Sequence, residues 1–327
     1  MRNPKILQKS ALACALFISA AHGQNGRPAD GDIHILPVHG NIYMLVGAGG
    51  NVAVQTGEDG VLVVDTGLAQ NAQKLLAAIK TISNGPIRYV INTHHHPDHT
   101  GGNVTIRMAG STIAGANVTG DLQDAAIGAL LISHFNVFNR LSAPGGAQTP
   151  LPPAGWPTST FMTGQKKLWF NGEGVDILHQ PAAHTDGDSI VYFKRSDVIA
   201  TGDIFTTTDY PIIDLQGGGS IQGTIAALNR IISMIIPVFG QEGGTLVIPG
   251  NGRLCDLGDV VNFREMTVII RDRIEDMVKK GMTLEQVKAA QLTQDYDPLY
   301  GSTDFWTTDK FVEAVYKSLS DKKNGAK

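Results

Sequence analysis

The sequence predicts a globular α/β protein, on three observations. Four short apolar runs, 61–64, 87–92, 197–201 and 245–248, each empty into a glycine-containing turn that carries a polar residue. Active-site loops gather at such strand ends in α/β sheets. Other stretches carry apolar residues at helical spacing. Finally, an apolar fraction of 42% with 38 glycines among 327 residues suits a turn-rich packed chain, not a disordered one.

The elements follow in chain order. Arg2, Lys5 and Lys9 precede and flank an apolar run over 10–21, and Ala21-His22-Gly23 has the small-x-small form of a cleavage site. Residues 1–23 therefore read as a secretory signal peptide, and the protein as periplasmic or secreted. The run is shorter than the roughly 20 residues a membrane span needs, and no later stretch is long enough. Residues 32–66 alternate apolar and polar around Gly40 and Gly57–Gly60, as antiparallel strands do. Residues 71–82 place Leu75, Leu76, Ile79 and Ile82 near helical spacing. Residues 87–92 are a β-rich run behind Gly85-Pro86.

Residues 121–135 read as a helix and 144–164, rich in Pro, Gly and Thr, as a long loop. Strands over 175–178 and 190–193 flank a turn with His184. A helix over 221–236 stops at Pro237, and a long one over 256–280 carries Val260, Phe263, Ile270 and Ile274. Thr283-Leu-Glu-Gln286 is a capping box, and 305–319 is a final helix with Phe311, Val312, Val315 and Leu319 on one side. The expected organisation is a leader over 1–23, one domain over 24–255, and a C-terminal helical extension over 256–327 packed on it.

The chemistry concentrates in His94-His95-His96-Pro97-Asp98-His99. Within it His94, His96, Asp98 and His99 form His-x-His-x-Asp-His. Imidazole and carboxylate are ligands that Zn²⁺ and its first-row neighbours take. Alternate residues of an extended turn can point two imidazoles at one ion, leaving the Asp-His pair to face a second.

This cluster, then His184 in an Ala-His-Thr-x-Gly-x-Ser turn, then Thr201-Gly202-Asp203 after a strand, resembles the metallo-β-lactamase fold superfamily of hydrolases. The resemblance covers roughly residues 32–255. It implies an αββα sandwich, two sheets face to face with helices outside and metals in a cleft at one edge. By that resemblance His94, His96 and His184 hold the first metal, Asp98 and His99 the second, and Asp203 bridges both. The last ligand is normally a histidine in a Pro-Gly-His-Gly turn. Here the turn reads Pro249-Gly250-Asn251-Gly252, and no histidine follows His184. Asn251 offers only an amide oxygen, a weaker zinc ligand. One Zn²⁺ is therefore expected to bind firmly and a second weakly, with iron or manganese as other ions the set admits. His134, expected in a helix, and His179, at a strand end, read as ordinary polar residues.

Three histidines leave one position for water, whose pKa zinc lowers to about 7. The implied function is an exported zinc-dependent hydrolase in which a metal-bound hydroxide cleaves an ester, thioester, lactone or amide, with Asp98 and Asp203 assisting. Asp65 reads as a partner of a metal-bound histidine. Other functions consistent with the residues are a β-lactamase, a mononuclear iron oxidoreductase of the persulfide-dioxygenase kind built on His94, His184 and Asp203, and a binding protein that has lost catalysis. The formal net charge is −4, and the loss of Arg2, Lys5 and Lys9 makes it more negative. That excludes nucleic acid as the expected partner and leaves a small-molecule substrate. With Cys14 in the leader, Cys255 has no disulfide partner within the chain.

Overall fold

The computed structural model describes residues 31–112, 127–143, 151–237, 243–301 and 305–324. The expected leader and the first part of the helix expected over 121–135 lie outside these residues.

A first sheet begins as an antiparallel meander of β1 (His34–His39), β2 (Ile42–Val46), β3 (Val52–Gly57) and β4 (Gly60–Val64). Helix α1 (Ala72–Ile82) then crosses over to β5 (Ile87–Ile91), which pairs parallel with β4. Two short helices follow, α2 (Pro97–Thr100) and α3 (Asn103–Met108). Next come β6 (Leu130–His134), α4 (Phe135–Ser142) and β7 (Ser159–Phe161), both strands parallel to β5. A second sheet holds β8 (Gln165–Phe170), β9 (Glu173–His179), β10 (Ser189–Phe193) and β11 (Val198–Ala200), antiparallel in succession. After α5 (Ile221–Met234), β12 (Leu246–Ile248) joins it parallel to β11. Helices α6 (Leu257–Lys279), α7 (Leu284–Ala289), α8 (Asp297–Tyr300) and α9 (Thr308–Asn324) complete the chain.

Side-chain alternation turns this topology into layers. Leu62 and Val64 of β4 meet Val175, Ile177, Val191 and Ile248 between the sheets. Val61 and Val63 face outward onto Leu75 and Ile79 of α1. On the second sheet Ile190, Ile199 and Val247 face outward onto α5, α6 and α9 through Leu228, Phe263 and Val315. Both sheets are thus covered on their outer faces, which explains why β4 and β11 are apolar throughout. The molecule is the expected αββα sandwich with C-terminal helices. Asp256 and Thr283 each make a complete capping box at the start of α6 and α7.

Two expectations are corrected. Residues 130–134 are a strand, not part of a helix, and His134 ends it as the N-cap of α4. A short run such as Leu130-Leu131-Ile132 fits a buried strand as well as a helix, and pairing with β5 decides it. Within the expected loop 144–164, residues 153–155 form a 3₁₀ turn and Ser159–Phe161 an edge strand. Three residues are too few for alternation to register in sequence. Strand β8, at the far edge of the second sheet, was not expected at all.

Candidate metal centre

Five connections converge at one edge of the sandwich. Asp65 follows β4, the histidine cluster follows β5, Asp203 follows β11, Asn251 follows β12, and His184 lies between β9 and β10. Parallel pairing of β4 with β5 and of β11 with β12 brings four of these strand ends to the same edge. Glycines permit the close approach. A Cβ on Gly250 would lie 2.0 Å from Oδ1 of Asp203, and one on Gly50 would lie 2.5 Å from the His99 ring. Neither contact is sterically possible with a larger residue.

His94, His96, His184 and Asp203 offer ligand atoms within 4.8 Å of one another, and Asp98, His99 and Asp203 do the same beside them. Nε2 of His184 lies 2.8 Å from Nδ1 of His96. Nε2 of His94 and of His184 each lie 3.8 Å from Oδ2 of Asp203. Nε2 of His99 lies 3.1 Å from Oδ1 of Asp203 and 3.5 Å from Oδ2 of Asp98. The Nε2 atoms of His94 and His99 are fully buried without a hydrogen-bond partner. Buried polar atoms are almost always satisfied, so two orphaned imidazole nitrogens facing one carboxylate mark a place for a cation. The donor set therefore fits the metal the sequence implies.

The outward nitrogens are held. Nδ1 of His99 bonds Oδ2 of Asp65 at 2.7 Å, as expected for Asp65. Asp65 also accepts from Thr93 N and Oγ1, and it holds a left-handed φ of 65° to do so. Nδ1 of His184 donates to the carbonyl of Ile212 at 2.7 Å, and Nε2 of His96 bonds Asp214 at 3.1 Å. Such partners fix ring orientation and tautomer. Asp214 and Ile212 carried no expectation from sequence; the Gly217-Gly218-Gly219 run after Asp214 is the one turn signal that points to their loop.

The electrostatics divide the histidines. Burial, reinforced by the neighbouring imidazoles, drives His94 well below the ordinary histidine pKa. Burial also works against a charge on His99, but Asp203, Asp98 and Asp65 outweigh it and raise His99 well above that value. Burial would raise Asp203, yet His99 holds its carboxyl below the usual range.

Asn251 stands beside Asp203 and donates from Nδ2 to its Oδ1 at 3.2 Å. Its turn is fixed by Asn51, whose amide donates to the carbonyls of Pro249 and Gly252. His134 and His179 are elsewhere, stacked on each other with centroids 3.5 Å apart. The centre opens into a cleft of about 720 Å³ bordered by Val46, Ile212, Phe305 and Trp306 as well as the site residues. Cys255 is buried, and burial pushes its thiol well up, so it offers no thiolate nucleophile.

The family model described as "Metallo-beta-lactamase superfamily" matches residues 45–235, more than half of the chain. A linear primary-alkylsulfatase of Pseudomonas sp. is 24% identical over 300 residues, covering 79% of this chain and 53% of its own. The chain thus spans about half the length of that relative. Among solved structures, the stereoselective inverting sec-alkylsulfatase Pisa1 from Pseudomonas sp. superposes with a TM-score of 0.63 at 16% identity, over 87% of this chain and 50% of that one. The metallo-beta-lactamase from Pontibacter korlensis gives 0.53 at 13% identity, over 72% and 99%. At these identities the likeness to the solved structures is one of fold.

Proposed function

The chain belongs to the metallo-β-lactamase superfamily, and from that premise we propose that it is an exported zinc-dependent hydrolase of an ester, thioester, lactone or amide. The observation that carries the reading is the pair of orphaned nitrogens, Nε2 of His94 and of His99, turned toward Asp203. His94, His96 and His184 hold the first ion. Asp98 and His99 hold the second, with Asn251 in the position of its last ligand, and Asp203 faces both. The leader over 1–23, the catalytic domain over 24–255 and the helical extension over 256–327 are part of the same proposal.

Zinc bound here supplies a water of lowered pKa and an electrophilic face for a carbonyl. The residues of the chain do the rest. Asp203, fixed by Asn251, accepts a hydrogen bond from the attacking water and orients it. Asp98 lines the cleft and is only partly buried, so it is placed to take up a proton when the second site is empty. Asp65, Asp214 and the Ile212 carbonyl keep the imidazoles of His99, His96 and His184, respectively, from rotating.

Asp203 also sets the order of substrates. Its negative charge stands where a β-lactam's developing ring-nitrogen anion needs a positive face, and Asn251 leaves the second ion weakly held. Carbon esters, thioesters and lactones should therefore exceed β-lactams in kcat/KM. A second reading, hydrolysis of an alkyl sulfate ester, is favoured by the named function of the alkylsulfatase relative and by the apolar wall of the cleft. The test is a side-by-side assay with added Zn²⁺ on aryl esters, acyl lactones, thioesters, primary alkyl sulfates and three classes of β-lactam. Efficient turnover of a β-lactam alone, or of an alkyl sulfate alone, overturns the ordering.

A further inference from the structure

The segment from Phe205 to Ser220 joins β11 to α5 without a helix or strand of its own. It nevertheless carries the two groups that orient His184 and His96, the Ile212 carbonyl and the Asp214 carboxylate. Its middle is held from the far end of the chain. Tyr210 is fully buried and lies flat against Phe311 of α9, ring centroids 4.6 Å apart. Its hydroxyl donates to Oδ1 of Asp297 at 2.9 Å, with the Thr293 carbonyl a second acceptor at 3.2 Å. Its backbone N–H donates to the Tyr300 carbonyl at 3.3 Å. Asp297 is itself fixed by Thr308 Oγ1, at the start of α9, at 3.1 Å. Nε1 of Trp306 donates to the Pro211 carbonyl at 3.2 Å, gripping the peptide unit directly before Ile212. Backbone outside helices and sheets has no ladder to order it, so such contacts decide how firmly it is held.

We infer, on the zinc-hydrolase reading, that the C-terminal helices are part of the metal centre, with Tyr210, Asp297 and Trp306 as positioning residues. They act at two removes. Asp297 and Trp306 hold Tyr210 and Pro211; the adjoining backbone then sets the Ile212 carbonyl and the Asp214 carboxylate, and these set the rings of His184 and His96. Ordering the segment before the ion arrives lowers the entropy that binding must overcome. The coupling is reciprocal: if the docked helices raise zinc affinity, zinc tightens the docking of the helices by the same factor. Tyr210 does not line the cleft, whereas Trp306 does, so Tyr210→Phe separates positioning of the metal from contact with substrate.

Two readouts test this on the full chain. Competition against a chromogenic chelator gives the zinc affinity of the natural protein and three variants. Tyr210→Phe keeps the ring on Phe311 and loses the hydroxyl, and Trp306→Phe keeps an aromatic ring and loses the donor to Pro211. Tyr316→Phe is the control, because its hydroxyl donates to the Met282 carbonyl at 3.1 Å, within the C-terminal helices. The first two should each weaken zinc binding about fivefold, less than the roughly 10–100-fold of a ligand's direct partner. Tyr316→Phe should leave it unchanged at a similar loss of Tm. Hydrogen exchange supplies the second readout: zinc should slow amide exchange over residues 293–301 in the natural protein, and less so in Tyr210→Phe and Trp306→Phe. Unchanged affinity in either of those variants, an equal fall in Tyr316→Phe, or no protection of 293–301 by zinc overturns the inference. Zinc binding that responds as expected, without hydrolysis of any ester, upholds the positioning role and overturns the hydrolase reading instead. A natural protein that binds no zinc overturns both.

Discussion

Nε2 of His96 lies 3.1 Å from Oδ2 of Asp214, so the other nitrogen of that ring, Nδ1, is the one presented to His184 and the metal cluster. The carboxylate is itself anchored, because Gly217 N donates to Oδ1 at 2.7 Å. Burial would raise Asp214, but its bonds from His96 and Gly217 hold the carboxyl well below the usual range. The same loop supplies the Ile212 carbonyl to His184. One connection between β11 and α5 therefore orients two of the three histidines proposed for the first site.

Asp214→Asn keeps an acceptor for Gly217 but removes the charge behind His96. Zinc affinity should fall by about 10–100-fold with far-UV circular dichroism unchanged. Competition against a chromogenic chelator measures it. Unaltered affinity would show that the bond to His96 contributes nothing to the site.

Asn251→His restores an imidazole beside Asp203. The variant should retain close to two ions per chain after dialysis, where the natural protein retains fewer, and the two ions should lie about 3.5–4 Å apart. Elemental analysis and metal-edge scattering read both quantities. Two tightly held ions in the natural protein would mean that Asn251 is not the weak point.

The stacked pair of His134 and His179 gives a pH prediction remote from the metal. Burial, with the neighbouring His179, lowers His134 to about 4, and burial also lowers His179. Both pKa values are depressed on folding, so the unfolded chain binds more protons once pH drops below the ordinary histidine value of about 6.5. Stability contributed by the neutral pair is thus present above about 6.5 and is lost as pH falls toward about 4. His134→Asn retains an N-cap residue for α4 and does not titrate. Its Tm should fall less between pH 7 and pH 5 than that of the natural protein, and an equal fall would contradict the account.

Much of this was legible in the chain. His94, His96, Asp98 and His99 stand in one run, and His184 and Asp203 each sit in a glycine turn after a strand. Short-range patterns of this kind survive without knowledge of the fold. Asp214 was not legible, since it gains meaning only from a partner that the topology brings to it. Asp214 meets a histidine 118 positions earlier in the chain. The strand at Leu130–His134 was hidden for another reason: an apolar run of three residues, Leu130-Leu131-Ile132, has no period of its own, and sheet pairing supplies the answer.

The central claim is that His94, His96 and His184 hold an essential metal, and the most direct measurement is metal content of the natural protein and of His184→Ala after identical purification and dialysis. The account predicts a firmly held ion in the natural protein. It predicts loss of that ion and of hydrolysis in the variant, with secondary structure retained. A folded His184→Ala protein that keeps its metal and most of its activity would contradict it.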